Sequence, residues 1–512
     1  MKRLLAAILL VTMILPLAAC GGGGGTGGGG GNGGDSTYNY IDNLPESLNG
    51  KFAGEELVVA VDGNYKYELY ASEKSEETVD KLVYRRNQLI QQRFGCTIVA
   101  DETNSLNAED VTSHYDYIRD SLLEASADFD LIALMAFQSG KLVTSGYYLD
   151  WRADTTYCKA SIESGAEWWP KAINDGSTVV GHQYLAVSDL CLTTMEMCYA
   201  VIFNKDMEHN ENVALKQFNT NTLYQAVDAG EWTLDAFYNI VKDFYRDNEN
   251  AGTKGVRDES DRYGLAAGAG TDSDAWAFAL GFQYIKNDGV NYPVLWTVDN
   301  KTVLAINTLR SLIASDATYC TQWGDKYDRR TQFFVDGHAL FNLSTLEQLK
   351  SGVFHEMESD YGVLPYPKYD GNQKQYLTGT QDHYTVLSIS LYQYADIEMI
   401  DAVVEALSAE SANTVKDAYF ESILKYNSTR DENSVRMIDK IMDGRRYDLT
   451  TYHYNEIIPS TSTSAEESLG LFFRYLISRD TSTDPATYYN SNIYPYEKGF
   501  EKLITDYTGM FG

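Results

Sequence analysis

The sequence is poor in positive charge. Its 512 residues hold 41 Lys plus Arg against 73 Asp plus Glu, so the formal net charge is −32. Affinity for nucleic acid and for anionic lipid depends on Lys and Arg contacts to phosphate. We therefore exclude nucleic acid as a partner and expect no direct binding of the protein surface to an anionic membrane.

Histidine is scarce, and the common catalytic motifs are missing. Only seven His are present, so imidazole bases are few, and HExxH, GxSxG and GxxxxGK[ST] do not occur. Gly268-Ala269-Gly270 matches part of a dinucleotide fingerprint, but Ser273 stands at the third glycine position, which favours a helix-entry loop at the mouth of a pocket. A glycosidase-type pair of carboxylates stays open, although no feature selects one among 73 acids.

Cysteine spacing gives no metal or disulfide framework. After Cys20 there are five cysteines and no CxxC, at Cys96, Cys158, Cys191, Cys198 and Cys320. An odd number leaves at least one free thiol unless the pairing is intermolecular, and a single bridge remains compatible with the count.

The first 19 residues are typical of a signal peptide. Lys2 and Arg3 precede the apolar run Leu4–Leu15, which is too short for a comfortable membrane span. Small residues then lead to Cys20, and this pattern resembles a bacterial lipobox, in which the cysteine becomes the lipid-modified first residue. We therefore predict a signal peptide over 1–19.

A flexible tether is predicted over 20–50. Gly21–Gly34 is glycine interrupted only by Thr26 and Asn32, a composition that cannot form a core. No later segment approaches 18 consecutive apolar residues. We expect an exported protein that is held at the outer face of the cell membrane by its lipid alone.

The first part of the folded chain alternates strands and helices. Glu56–Val61, Cys96–Ala100 and Phe129–Ala136 are short apolar runs, and an amphipathic helix that ends at Gly95 separates the first two. This β-α-β-α-β order predicts a parallel sheet with helices on both faces. In such sheets ligands bind beyond the carboxyl ends of the strands.

A second α/β unit is predicted to follow. Met197–Phe203 opens it, and Thr233 is placed to cap a helix. Tyr361–Leu364 and Thr385–Ile389 are further strand-like segments, and 397–512 is predicted to be mainly helical. We expect two α/β units with the chain passing between them more than once.

The segment Asp247–Asp258 has the outline of a calcium loop. Asp247, Glu249 and Asp258 are its candidate ligands, but Glu249 is long for the third position, Ala251 removes the fifth ligand, and Asp258 is short for a bidentate twelfth. A solvated acidic turn is the preferred interpretation, with calcium as the alternative. No other cofactor is expected.

Several segments in a fixed order resemble a known family. They follow the lipobox and comprise Tyr84–Asn87, Phe94–Ile98, Asp128–Leu131, Phe203–Asp206, Gly230–Asp235, Asp261–Leu265, Phe334–Phe341, Tyr361–Lys368 and Arg430–Ser434. In this order they resemble lipid-anchored extracellular solute-binding proteins of ABC importers, of the carbohydrate-associated, Gram-positive type. The resemblance covers nearly all of the chain after residue 19.

The resemblance implies a periplasmic-binding-protein-like α/β fold with two lobes joined by several hinge crossings. We place one lobe at 51–192 plus 345–390 and the other at 193–344 plus 391–512, with crossings near Asp189–Met197, Asn342–Leu349 and Leu387–Leu391. It further implies a monomer that captures a sugar or oligosaccharide, performs no chemistry, and delivers its ligand to permease subunits. A surface enzyme acting on polysaccharide and a binder of peptides or peptidoglycan fragments are the alternatives.

A sugar site needs forked hydrogen-bonding groups and aromatic platforms, since sugars carry hydroxyls on the ring edge and C–H groups on the faces. We expect these groups on loops that follow strands, and Trp276 is the leading stacking residue. The candidates are Asp62, Asn64, Phe137, Gln138, Glu196, Asp272, Asp274, Trp276, Asn342, Ser344, Thr380 and Asp382.

Overall fold

The computed structural model describes residues 44–75, 77–103, 113–248, 258–268, 270–321, 328–350, 352–421, 431–459 and 464–509. The predicted signal peptide and Cys20 lie outside the described residues. The end of the predicted tether is corrected, because Leu44 and Leu48 are only 7 % and 1 % exposed and Arg93 donates a 2.8 Å hydrogen bond to the carbonyl of Leu44. Residues 44–50 therefore belong to the folded unit.

Thirteen strands fall within the described residues. They are β1 Glu56–Asp62, β2 Thr97–Thr103, β3 Leu131–Met135, β4 Tyr199–Asn204, β5 Tyr263–Gly268, β6 Ile285–Lys286, β7 Val294–Leu295, β8 Thr318–Thr321, β9 Ala339–Thr345, β10 Tyr361–Leu364, β11 Thr378–Gly379, β12 Thr385–Ile389 and β13 Arg445–Arg446.

Nineteen α-helices surround them in the same part of the chain. They are α1 Thr78–Phe94, α2 Ser113–Leu123, α3 Ala136–Val143, α4 Tyr157–Ser164, α5 Lys171–Ser177, α6 Thr193–Glu196, α7 Lys205–Glu211, α8 Val213–Phe218, α9 Leu223–Ala229, α10 Leu234–Lys242, α11 Asp272–Ala279, α12 Asn300–Ile313, α13 Asp328–Val335, α14 Leu346–Lys350, α15 Ile397–Glu410, α16 Glu432–Asp443, α17 Thr450–His453, α18 Phe472–Arg474 and α19 Pro485–Gly509.

The first sheet has the order β12-β3-β1-β2, and the predicted parallel pairing is confirmed for β1 with β2 and with β3. β12 joins β3 antiparallel. The helix α1 packs through Val83, Ile90 and Phe94, each 0 % exposed, and ends at Gly95, whose φ of 83° lies in the left-handed region that favours glycine.

The second sheet has the order β10-β4-β9-β5-β8. β5 runs parallel to β8 and β9, whereas β4 is antiparallel to β9 and β10. The predicted cap is confirmed, since Thr233 Oγ1 accepts a hydrogen bond from the Ala236 N–H at the start of α10. The assignment of all of 345–390 to the first lobe is wrong, because Tyr361–Leu364 pairs with β4 of the second sheet.

The assignment of all of 391–512 to the second lobe is also corrected. α15 packs against α1, α4 and β1 of the first lobe. The buried carboxylate of Asp401 accepts hydrogen bonds from the backbone N–H groups of Thr156, Tyr157 and Cys158 at 2.6, 2.8 and 2.8 Å. These N–H groups belong to the N-cap residue Thr156 and to the first two residues of α4, so Asp401 caps that helix from a segment almost 250 residues away.

Three short segments lie next to one another where the chain passes between the lobes, namely the residues around Cys198, β11 with Thr380, and β13. β11 pairs with β13 in parallel, and Cys198 forms an antiparallel bridge with Thr380. The predicted crossing near Asp189–Met197 leads directly into this group. The other two crossings are wrong, because Asn342–Leu349 continues from β9 into α14 and Leu387–Leu391 follows the course of β12 within the first sheet.

Glu68 is buried where the first crossing meets the first sheet. Its side chain is 0 % exposed and accepts hydrogen bonds from the Thr193 N–H at 3.1 Å, the Thr193 hydroxyl at 3.1 Å and the Thr385 hydroxyl at 2.8 Å. Burial raises the pKa of Glu68 to about 8, although these hydrogen bonds oppose the shift. Arg86 donates to the neighbouring carbonyls of Glu68 and Leu69.

The five cysteines of the described chain are all free thiols, and four of them are buried. Within the same residues, no helix has the length and apolar character needed to cross a membrane.

Replacing Asp401 by Asn should destabilise the protein by about 1–3 kcal/mol, because one buried carboxylate accepts from three N–H groups and an amide offers only one acceptor oxygen. Urea unfolding measures the loss. Asp396→Asn is the matched control, since Asp396 precedes α15, is exposed and makes no side-chain cap. Equal stability of the two variants would contradict the capping role.

Replacing Glu68 by Gln should flatten the dependence of stability on pH. The folded pKa of about 8 lies above the ordinary value of 4.5, so the stabilisation is fully present below pH 4.5 and is lost as pH rises through 8. The melting temperature of the parent protein should therefore fall more steeply than that of the variant between pH 4.5 and 8. Parallel curves would contradict the buried, protonated state of Glu68.

Candidate functional site

The edge formed by β3 and β12 brings two predicted residues together. The Phe137 N–H donates to the carbonyl of Asp382 at 3.3 Å, and the Ala136 N–H donates to that of Tyr384 at 2.9 Å. Both bonds lie at the carboxyl end of β3, the edge where ligands bind in parallel sheets. Phe137 and Asp382 thus share the predicted cleft edge of the first lobe.

Three half-buried rings form an aromatic cluster at this edge. The ring centre of Phe137 lies 5.0 Å from that of His383 and 6.5 Å from that of Tyr454, to which it is nearly parallel at 13°. All three side chains retain exposed surface. We refer to Phe137, His383 and Tyr454 as the aromatic cluster.

A charged cluster adjoins these rings. Arg474, at the end of α18, holds Asp274 of α11 in a fork in which Nε donates to Oδ1 at 3.0 Å and Nη2 donates to Oδ2. Asp382 Oδ1 lies 3.0 Å from His383 Nδ1. We refer to Asp274, Asp382 and Arg474 as the charged cluster.

Electrostatics links the two clusters. Burial raises the pKa of Asp274 to about 6, and the Arg474 guanidinium opposes that shift. Burial also raises the pKa of Asp382, but this effect is outweighed. The hydrogen bond to His383 and the charges of His383 and Arg474 hold the pKa of Asp382 below its usual value. Burial and then the charge of Asp382 raise the pKa of Tyr454. The carboxylates, the guanidinium and the rings therefore act on one another within one site.

Glu196 occupies a second corner between the lobes. Its side chain is 1 % exposed, and Oε1 accepts hydrogen bonds from the Tyr67 hydroxyl at 2.7 Å, the Lys350 ammonium at 2.8 Å and the Tyr419 hydroxyl. Burial raises the pKa of Glu196, and Lys350 opposes the shift. One oxygen of this predicted ligand residue is thus already bound by three protein groups.

Trp276 lies in the core of the second lobe rather than at a surface. It is 1 % exposed, and its ring centre is 4.9 Å from that of Tyr366 and 5.7 Å from that of Phe237. A stacking platform needs a free ring face, whereas α11 turns this side chain inward to pack. The structure corrects the sequence interpretation at this position.

Other predicted residues of the second lobe are enclosed as well. Asp272 pairs with the buried guanidinium of Arg330 and accepts a hydrogen bond from the Gly268 N–H at 2.9 Å, and burial raises its pKa against that pairing. Asn342 and Ser344 lie on β9 and are 0 % and 1 % exposed. These three side chains lie inside the lobe.

The remaining candidates belong to neither cluster. Asp62 is 4 % exposed and accepts a hydrogen bond from the N–H of Asn64, which is exposed in the turn after β1. Gln138 is buried on α3. Thr380 belongs to the bridge with Cys198 between the lobes.

The calcium hypothesis receives no geometric support within the described residues. Glu249 lies outside them, and Asp258 Oδ1 accepts hydrogen bonds from the N–H and hydroxyl of Ser260 at 2.8 and 2.6 Å. Where side chains are described, no group of three or more His, Cys, Asp or Glu is placed to hold a metal ion. A calcium site at 247–258 stays a prediction.

Sequence reasoning missed His383, Tyr454 and Arg474. His383 follows the predicted Asp382 directly and would have been found by extending the loop by one residue. Tyr454 and Arg474 lie in the helical segment near the carboxyl terminus, where no motif marks them. Their approach to the first-sheet edge depends on tertiary packing alone.

The arrangement suits a polar, hydroxyl-bearing ligand. Carboxylate oxygens accept hydrogen bonds, a guanidinium donates them in a fixed plane, and half-buried rings offer apolar faces. The groups come from the first sheet, from α11 of the second lobe and from the segment after α17.

Comparison with family models finds no match, and comparison with curated proteins finds none either. Among solved structures, UgpB from Mycobacterium tuberculosis in complex with glycerophosphocholine is 12 % identical, with a TM-score of 0.51 over 88 % of this chain and 100 % of that one. A cyclo/maltodextrin-binding protein complexed with maltotetraose is 12 % identical, with a TM-score of 0.50 over 86 % and 96 %. UspC from M. tuberculosis is 13 % identical, with a TM-score of 0.50 over 88 % and 100 %.

At such low identity the likeness concerns the course of the backbone. Together with the two sheets and their connections, it establishes that this chain has a mixed α/β, periplasmic-binding-protein-like fold.

Proposed function

We propose that this protein is the substrate-binding component of an ABC importer, and that it captures a sugar or oligosaccharide between its lobes. The supporting observation is the junction of the aromatic and charged clusters, where Phe137 and Asp382 of the first-sheet edge meet Asp274 of the second lobe and Arg474. Delivery to permease subunits follows from that role.

The chemistry of the junction matches a saccharide. Hydroxyl groups on the ring edge would donate to Asp382 and accept from Arg474, while the C–H faces would lie against Phe137 or Tyr454. Because Arg474 is already paired with Asp274, the site offers directional hydrogen bonds without a strong excess of positive charge.

Capture by closure is the mechanism that this arrangement supports. A ligand that contacts both the first-sheet edge and α11 makes its full set of contacts only when the lobes are together. Its binding therefore shifts the population toward the closed arrangement.

We also propose that the exported protein is anchored through a lipid on Cys20, as a monomer at the outer face of the membrane. The lipobox-like Leu17–Cys20 and the glycine-rich segment after it support this proposal. Mass spectrometry of the mature amino terminus tests it, since an unmodified cysteine there would contradict the anchor.

Binding of the correct saccharide should raise the melting temperature, because a ligand that binds only the folded state stabilises it by an amount that grows with the logarithm of the ligand concentration above Kd. A thermal-shift screen of mono- and oligosaccharides measures this effect. Phe137→Ala should weaken the affinity about 5- to 150-fold by removing a ring face, as about 1–3 kcal/mol is the usual cost of a lost stacking contact. Tyr494→Ala is the control, because that ring is 67 % exposed on α19.

If the Phe137→Ala variant keeps the affinity of the parent protein, the aromatic cluster does not contact the ligand. A screen in which only peptides or peptidoglycan fragments shift the melting temperature would replace the sugar by that ligand class.

An enzyme that cleaves polysaccharide is the second candidate, since Asp274 and Asp382 are both close to Arg474. Incubation with oligosaccharides followed by chromatography separates the two functions. The receptor should leave every oligosaccharide intact at stoichiometric saturation. Shorter products that disappear in Asp382→Asn would establish the enzyme instead.

A further inference from the structure

The corner at Glu196 joins segments from both lobes. Glu196 is the last residue of α6, on the first crossing and just ahead of β4 of the second sheet. Tyr67 follows β1 of the first sheet, and Lys350 ends α14, which continues from β9 of the second sheet. Tyr419 belongs to the helical segment after α15.

These side chains also contact one another. The Lys350 ammonium lies 4.8 Å from the ring centre of Tyr67 and 5.7 Å from that of Tyr419, within the range of cation–π attraction. Glu196 Oε1 accepts from all three groups at once. The first lobe, the crossing and the second lobe therefore meet at one carboxylate oxygen.

Separation of the lobes would break this arrangement. Tyr67 and Lys350 are carried by different sheets, so an opening motion withdraws at least one of them from Glu196. The Glu196 carboxylate, which is 1 % exposed, then loses a charged or hydroxyl donor before water can replace it. The free energy of leaving this buried group without its donor opposes the opening motion.

We propose that Glu196 is a positioning residue that holds the two lobes together and sets ligand affinity without touching the ligand. The affinity statement rests on the proposed function, whereas the statement about the lobes does not. The apparent dissociation constant rises as the fraction of competent conformers falls, so weakening this contact lowers affinity from outside the binding site.

The test uses two variants that keep the local packing. Tyr67→Phe removes one hydroxyl, and Lys350→Met removes the ammonium but keeps the stem. Arg436→Gln is the control, because it breaks an ion pair of similar length with Asp228 within the second lobe, at 2.5 Å. Small-angle X-ray scattering without ligand measures the radius of gyration of each protein.

Both variants should show a larger radius of gyration than the parent and the control, and the double variant should show the largest. An unchanged radius in the double variant would overturn the proposal. Circular dichroism checks folding, and if the double variant is unfolded the decision rests on Tyr67→Phe.

For a saccharide found in the thermal-shift screen, each variant should bind about tenfold more weakly. Weaker binding with an unchanged radius would show that this corner touches the ligand, and a larger radius with unchanged affinity would show that it does not set affinity. Either result overturns the proposal. If no saccharide binds, the proposed function fails while the scattering result still decides the role of Glu196 in holding the lobes.

Discussion

A carboxyl group that is buried where two lobes connect has to keep its hydrogen-bond partners, and two such groups lie where the first crossing of this protein meets the lobes. Glu68 connects Thr193 of the first crossing to Thr385 of the first sheet, while Glu196 connects that crossing to Tyr67. Burial without these partners would leave polar oxygens unsatisfied, at a cost of about 1–3 kcal/mol for each group. The relative position of the sheets is therefore fixed by polar contacts that have few alternatives, in addition to apolar packing.

The same constraint shapes the candidate site. Asp274 keeps only 15 % of its side chain exposed and remains compatible with the fold because Arg474 provides a two-bond partner. The charge of Asp382 also raises the pKa of Arg474, so the charges of this site depend on one another. The partly exposed rings of Phe137 and Tyr454 adjoin this set and complete its chemistry.

Local patterns predicted much of the fold, and long-range packing accounts for the rest. The first sheet was predictable because β1 and β3 are centred on apolar runs and Gly95 ends α1 with a left-handed residue. The assignment of β10 and α15 failed because their partners are distant in sequence, as with the contact of Asp401 to the start of α4. In the site, Phe137 and Asp382 follow from the rule for strand ends. Arg474 does not, since its position depends on how the last helices fold back.

The buried thiols have a consequence for chemistry outside the binding site. Burial raises the pKa values of Cys96, Cys198 and Cys320 to about 11, and those of Cys158 and Cys191 well above the ordinary value. Because the thiolate is the reactive form, these groups react slowly with oxidants and alkylating reagents in the folded state. A cysteine introduced at the surface would therefore be the fastest-reacting thiol of the described chain, which makes the native background suitable for attaching one fluorophore to each lobe.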